Sequence, residues 1–262
     1  MKNFLHNYSI LKAKLNSNEL SIGSWITIPH QAVIEVLSTA GFEWLVVDME
    51  HSPITAETVV SLIGHIQGNG MQALVRVSKN EEVAIKIVLD AGADGVIVPM
   101  IRNDEEARQA VDYVKYPPTG KRGVGLNRAQ KYGTAFDSYK KWVNEEVVVI
   151  AQIEHIDAVN NLEEIFAVPG IDGIIVGPYD LSASMGHPGE FERQDVQAAL
   201  MKIDEIAKRL NKPLGYHVID SGHEKILERI DKGYSFLAFS LDFFFLGDKA
   251  REEMNLLRSK LK

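Results

Sequence analysis

The stretch VVDMEHSP, residues 46 to 53, places Asp48, Glu50 and His51 at the end of an apolar run that Pro53 closes. An imidazole that exchanges protons near neutral pH gains from a carboxylate that orients it and raises its basicity, and Asp48 stands close enough in the chain to do that for His51. The same residues also read as a buried Asp capping a backbone turn with a surface His beside it, and the octapeptide alone leaves both readings open. Other apolar runs end alike: Arg76 in VRVS, Gln152 and Glu154 in AQIE, Asp180 in GPYDLS. Singly, each has a plain structural role, Arg76 neutralising a carboxylate, Glu154 capping a helix, Asp180 starting a turn. Together they read as the rim of one site. Two or three carboxylates, one nearby His and no Cys suit a hard divalent cation such as Mg²⁺ or Mn²⁺, held octahedrally with positions open to water and substrate, whereas zinc draws more imidazole. The Gly177–Pro178–Tyr179 turn offers N–H groups at Gly177 and Tyr179 to a substrate carboxylate, which suits an anionic oxo acid.

These residues need a scaffold that brings distant strand ends to one face. Short β-rich runs alternate with amphipathic stretches along the chain, the pattern of parallel βα units. Eight strands are expected, at 21–28, 44–50, 72–78, 95–100, 147–154, 172–178, 213–219 and 235–241. The phrases STAGFEWLVVD, LDAGADGVIV and AVPGIDGIIV each join an apolar helix end to a strand through a Gly. Eight such units, with no GxGxxG after the first strand, predict a (β/α)₈ TIM barrel rather than an open doubly wound sheet. The chain reads as a single domain, 1–262, with 117–146 inserted between the fourth helix and fifth strand. In a barrel, strand residues alternate between interior and helix layer, and chemistry sits at the C-terminal strand ends. Val46, Asp48 and Glu50 then face inward, and Leu45, Val47 and Met49 outward.

With 262 residues, 45% hydrophobic and 24% charged, the composition is that of an ordinary globular protein. A net charge of −8 argues against nucleic acid as a partner, since phosphate binding needs clustered Lys and Arg. The absence of Cys excludes disulfides, zinc–thiolate sites and Cys nucleophiles. No apolar run approaches the ~20 residues of a membrane span, and the N-terminus has no signal-like core, so a soluble cytoplasmic protein is expected.

At VVDMEHSP, VPMIRNDEEARQAV, YPPTGKRGVG, AQIE and GPYDLS the chain closely resembles the HpcH/HpaI family of metal-dependent (class II) pyruvate aldolases, in order and over nearly its whole length. The resemblance implies a barrel of the phosphoenolpyruvate/pyruvate-binding type whose last helix is exchanged between neighbours in a homo-oligomer, a hexamer or trimer. It implies metal ligands at Glu154 and Asp180, an acid/base pair at His51 and Asp48, and a substrate-binding arginine at Arg76. Gln152 and Gly177–Pro178–Tyr179 would lie against the pyruvate portion, and Glu50 would hold metal-bound water. The implied reaction is reversible cleavage of a 4-hydroxy-2-oxo acid to pyruvate and an aldehyde, with Mg²⁺ or Mn²⁺, or else Co²⁺, as cofactor. Charge develops on the 2-oxo group as the enolate forms, so a cation and Arg76 there favour the transition state over the ground state. His51 would accept the C4 hydroxyl proton as the C3–C4 bond breaks.

A Schiff-base aldolase would instead need a desolvated Lys, and Lys79, the nearest candidate, sits in a charged run that reads as an exposed helix start. Two other classes remain as alternatives: a citrate-lyase-like enzyme acting on an acyl-CoA thioester, and a catalytically silent oxo-acid-binding barrel. The segments GVGLNRAQKYG and GYHVIDSGHE and the Tyr of GPYDLS depart from the best-known aldolase branch, which bears on the aldehyde rather than on pyruvate. His217 and His223 read as structural, and the phenylalanines of LDFFFLGD as packing against an exchanged helix.

Overall fold

A computed structural model of the chain describes residues 9–261. Its strands are β1 (Ser21–Ile26), β2 (Trp44–Asp48), β3 (Gln72–Arg76), β4 (Gly95–Val98), β5 (Val148–Ile153), β6 (Gly173–Val176), β7 (Leu214–Val218) and β8 (Phe236–Leu241). All are parallel and pair in sequence order, β8 closing onto β1, which makes the (β/α)₈ barrel that the sequence predicts. The helices are α1 (Ile10–Ser17), α2 (Gln31–Ser38), α3 (Ala56–Gly68), α4 (Glu82–Asp90), α5 (Asp104–Val114), α6 (Phe136–Glu145), α7 (Ile156–Asn160), α8 (Leu162–Phe166), α9 (Pro178–Ser184), α10 (Gln194–Leu210), α11 (His223–Asp231) and α12 (Asp242–Lys260). None is long and apolar enough to cross a membrane among the described residues.

Local chemistry explains the joints. Thr55 caps α3 by accepting the Thr58 N–H, and Asn103 caps α5 by accepting the Glu106 N–H at 2.9 Å, with Asp104, Glu105 and Glu106 placed where the helix dipole favours negative charge. Gly41, Gly92 and Gly170, the first glycine of each of the three repeated phrases, have φ of 87°, 101° and 99°, a left-handed turn that ends one element and aims the next strand.

The strands are buried on both faces, so two apolar layers form. Inside the barrel Trp44, Val46, Leu74, Ile97, Ile150 and Ile175 interlock, with Trp44 stacked on Phe236 at 4.4 Å and α1 supplying Leu11 and Leu15 to the same cluster. Outside, Leu45, Val47, Ala73 and Val75 meet the helices. A filled interior forces polar groups to the rim, where strands give way to loops. The observed strands stop short of the polar tails: β2 ends at Asp48 and β5 at Ile153, which leaves Glu50, His51 and Glu154 above the sheet.

Residues 117–146 fold against the barrel rather than looping free. Arg122 is wholly buried, pairs with Asp90 at 2.5 Å, and lies over the rings of Tyr116 at 4.8 Å and Tyr139 at 5.4 Å. Beside it α6 buries Tyr139, Trp142 and Val143. At the other end of the chain, Asp242 is buried and accepts the N–H groups of Thr27 and Ile28, both at 2.8 Å, which sets the direction in which α12 leaves the barrel. Residues 249–261 are exposed throughout.

Candidate active site

Asp48 and Arg76 are register partners on β2 and β3. Their side chains form a bidentate pair, Arg76 Nε donating to Asp48 Oδ1 at 3.0 Å and Nη2 to Oδ2 at 2.7 Å. Both are buried, so neither charge is tolerable alone. Burial by itself would raise the Asp48 pKa, but the Arg76 hydrogen bonds and charge, with the N–H groups of Glu50 and His51, hold it below the usual carboxylate value. The Arg76 guanidinium lies over the Trp25 ring at 4.4 Å, which fixes its other face.

The expected contact between Asp48 and the His51 imidazole is not formed. Asp48 takes the backbone N–H of His51 at 3.2 Å, and its oxygens are committed to Arg76 and the turn. The His51 side chain is 60% exposed, and the carboxylate nearest its ring is Glu50, with Nε2 to Oε2 at 3.8 Å. The reason is where β2 stops: after Met49, whose N–H still bonds Arg76 O at 2.9 Å, the chain bends and carries His51 to the rim.

Three carboxylates crowd beside this pair. Glu154, just past β5, accepts the Met100 N–H at 2.7 Å and a hydrogen bond from Gln152 Nε2. Burial pushes its pKa up to about 7, the nearby charges of Glu50 and Asp180 add to the rise, and the two hydrogen bonds oppose it. Glu50 is also pushed up to about 7, by burial first, then by Asp48 and Asp180 against the pull of Arg76. Its Oε2 lies 3.4 Å from Arg76 Nε yet is covered and makes no hydrogen bond, so distance alone does not satisfy it. Gly177 makes room for Glu154: a Cβ there would stand 2.9 Å from Oε2 and 3.1 Å from its Cβ.

Asp180 sits in the first turn of α9, exposed, after Gly177 and the buried Pro178. The Gly177 N–H, expected to be free for a ligand, is donated to Ile153 O at 3.1 Å; it extends the β5–β6 pairing, which leaves Tyr179 as the remaining donor of that turn. Mutual repulsion among carboxylates and an unsatisfied carboxylate oxygen fit a divalent cation with oxygen ligands. No group of three or more His, Asp or Glu among the described residues is arranged to hold a metal. The implied set, Glu154 and Asp180, has two protein ligands and leaves the other positions to water and substrate.

A cavity of about 240 Å³ opens beside these residues, lined by Asp48, His51, Arg76, Gln152, the 177–180 turn and an apolar side that includes Phe243 and Phe244, with Glu50 and Glu154 outside its lining. The structure adds Trp25 and His217, which the sequence reading did not place there. Strand alternation carries the signal for both: each points inward from its strand. The His217 ring packs 4.9 Å from Trp25, its Nε2 is covered and without a hydrogen-bond partner, and burial, then the Arg76 charge, pushes its pKa down to about 3. It is therefore a neutral group at the cavity wall. His223, by contrast, is 76% exposed at the start of α11.

The profile of the HpcH/HpaI aldolase/citrate lyase family matches residues 21–244. The chain belongs to that family. An HpcH/HpaI protein is an enzyme of the carbon–carbon lyase kind. The chain is similar to 2-dehydro-3,6-dideoxy-6-sulfogluconate aldolase of Pseudomonas putida, 38% identical over 247 residues, 94% of this chain and 96% of that one. It is also similar to the hydroxypyruvate/pyruvate aldolase of Sagittula stellata, 35% identical over 88% of this chain and 90% of the relative. Among solved structures, an HpcH/HpaI family protein from Burkholderia cenocepacia superposes with a TM-score of 0.90 at 32% identity, covering 95% of this chain and 98% of that one.

Proposed function

We propose that this HpcH/HpaI protein is a divalent-metal-dependent aldolase that reversibly cleaves a 4-hydroxy-2-oxo acid to pyruvate and an aldehyde. The observation that carries the reading is the juxtaposition at one barrel rim of a clamped guanidinium, Arg76, with carboxylates that repel one another, Glu50, Glu154 and Asp180. The relatives, named as aldolases of a sulfogluconate and of pyruvate, support the same substrate class.

Glu154 and Asp180 would hold the cation, Mg²⁺ or Mn²⁺ by their hard oxygen character or else Co²⁺, with Glu50 beside it to hold its water. Bound there, the cation supplies positive charge to the 2-oxo group as the enolate forms. Arg76 does the part that belongs to the chain. With Nε and Nη2 held by Asp48 and its face by Trp25, its remaining Nη1 meets the 2-oxo oxygen without reorganising. Asp48 thus acts through Arg76. His51, at the rim beside Glu50, takes the C4 hydroxyl proton; the electrons of the C3–C4 bond pass to C3 and the 2-oxo oxygen, the aldehyde leaves, and a proton returned to C3 completes pyruvate. Gln152 and the 177–179 turn pack against the pyruvate portion. Pyruvate release from a 4-hydroxy-2-oxo acid is expected to stop in EDTA and return with Mg²⁺, Mn²⁺ or Co²⁺. A covalent adduct trapped by borohydride with pyruvate would sink the metal mechanism.

A homo-oligomer, hexamer or trimer, completed by exchange of α12 is part of the proposal. Leu246, Met254, Leu256 and Leu257 of this helix are exposed, and a groove of about 590 Å³ between α2 and the start of α12 is lined by Val33, Val36 and Phe245. The cytoplasm is the compartment such small oxo acids imply.

A further inference from the structure

A second cavity, about 450 Å³, lies against the first and shares with it Pro178, Tyr179, His217, Ile219 and Phe244. A substrate whose oxo-acid end fills the inner cavity can extend past His217 into the outer one. The outer cavity carries a cation that no described interaction neutralises, Arg229 of α11. Its guanidinium lies 3.7 Å from the centroid of the Tyr216 ring and 5.5 Å from that of Tyr234. The nearby acid Asp204 is taken by the Tyr234 hydroxyl at 2.5 Å. Arg229 is thus half-buried, held in one pose by two rings, and left with donors to spare.

Two of the other charges of this cavity are paired with side chains, and Asp220 carries no described ion pair. Lys225 pairs with Glu228 at 3.1 Å, and Asp248 bonds Ser221 Oγ at 2.5 Å and pairs with Arg251. Asp220, exposed at the rim, accepts the Gly222 N–H at 2.7 Å. A preorganised guanidinium matches two oxygens of a carboxylate, sulfonate or phosphate in its fork.

We propose that Arg229 receives an acid group at the far end of the aldehyde portion, so that the natural substrate is an anion at both ends. This rests on the aldolase reading of the same site. The test compares kcat/KM for aldehydes ending in a carboxylate, sulfonate or phosphate with neutral aldehydes of matched length, in the native enzyme and in Arg229→Gln and Arg229→Lys. Loss of a charge-assisted fork predicts that the acid-to-neutral ratio falls about 10- to 100-fold in Arg229→Gln, with Arg229→Lys between the two. Among the three acids, the one whose ratio falls most is the group read. A binding arm needs no turnover: in calorimetry, Arg229→Gln weakens 2-oxo dicarboxylates, while the matched 2-oxo monocarboxylates are weakened far less. An unchanged ratio, or equal losses for acid and neutral ligands, overturns the proposal. Exchange of pyruvate methyl protons in the native enzyme, which involves no aldehyde, tests the aldolase reading separately; its absence would overturn that reading while the binding arm still decides on Arg229.

Discussion

The roles at the rim separate at the level of single side chains. His51 stands out at the cavity mouth and makes no described hydrogen bond or ion pair with Glu154 or Asp180, so His51→Ala is expected to slow turnover by about 10²- to 10⁴-fold while leaving metal affinity near the parent value. Glu154→Gln is expected to lower metal affinity instead, both effects being read by titrating Mn²⁺ and assaying pyruvate. The crowded carboxylates also predict a pH dependence. Glu50 and Glu154 have folded pKa values near 7 against an ordinary 4.5, raised rather than lowered. Between those values the unfolded chain has already lost protons that the folded chain keeps, so metal-free stability falls as pH rises through that window, by an amount on the order of a few kcal/mol. A divalent cation relieves that repulsion. Thermal melts should therefore show a larger stabilisation by Mn²⁺ at pH 8 than at pH 5.5, and a pH-independent shift would refute the crowding argument. Which side chains gather was legible in VVDMEHSP, AQIE and GPYDLS. Which of them touch was not: Asp48 and Arg76 pair because β2 and β3 are in register, and spacing along one strand carries no information about the next.

At the scale of elements, the site depends on how the strands stop. β6 turns directly into α9 through Gly177 and Pro178, and the missing Cβ at Gly177 leaves the space that Glu154 occupies. Gly177→Ala is expected to displace Glu154, cutting metal affinity and activity at least 10-fold by analogy with other losses of ligand support, while circular dichroism stays close to native. Retained affinity would show that the carboxylate has another seat. Alternation along the strands was readable from apolar periodicity, and it placed Asp48 inward correctly. It held for Met49, which packs on the outer layer, and for Glu50, which turns toward Arg76; the Asp48–His51 side-chain contact failed because the strand ends at Asp48 and the loop that follows has its own geometry. The segment 117–146, rich in Gly, Lys and aromatics, read as an insertion; its packing hinges on the buried Arg122–Asp90 pair, a contact between residues too far apart in sequence for any local pattern to reveal.

For the whole molecule, the barrel is complete but α12 is not covered by it. Asp242, the first residue of that helix, ties it to the segment just after β1, and the exposed leucines beyond suit a second copy of the chain. Light scattering is expected to report a mass of at least three chains, and deletion of residues 249–262 to reduce it; a monomer with full activity would refute the exchange.

Fold class, strand count and the cast of polar side chains follow from the linear chain, because hydrophobic period, turn glycines and capping residues act over a few positions. Folding decides the rest. Pairing of β1 through β2 to β3 sets Trp25 beneath Arg76, closure of β8 onto β1 sets His217 against Trp25, register assigns Asp48 to Arg76 rather than His51, and burial turns two ordinary glutamates into groups that titrate near neutrality. Each of these depends on distances between residues remote in sequence and on exclusion of water, which no local pattern encodes.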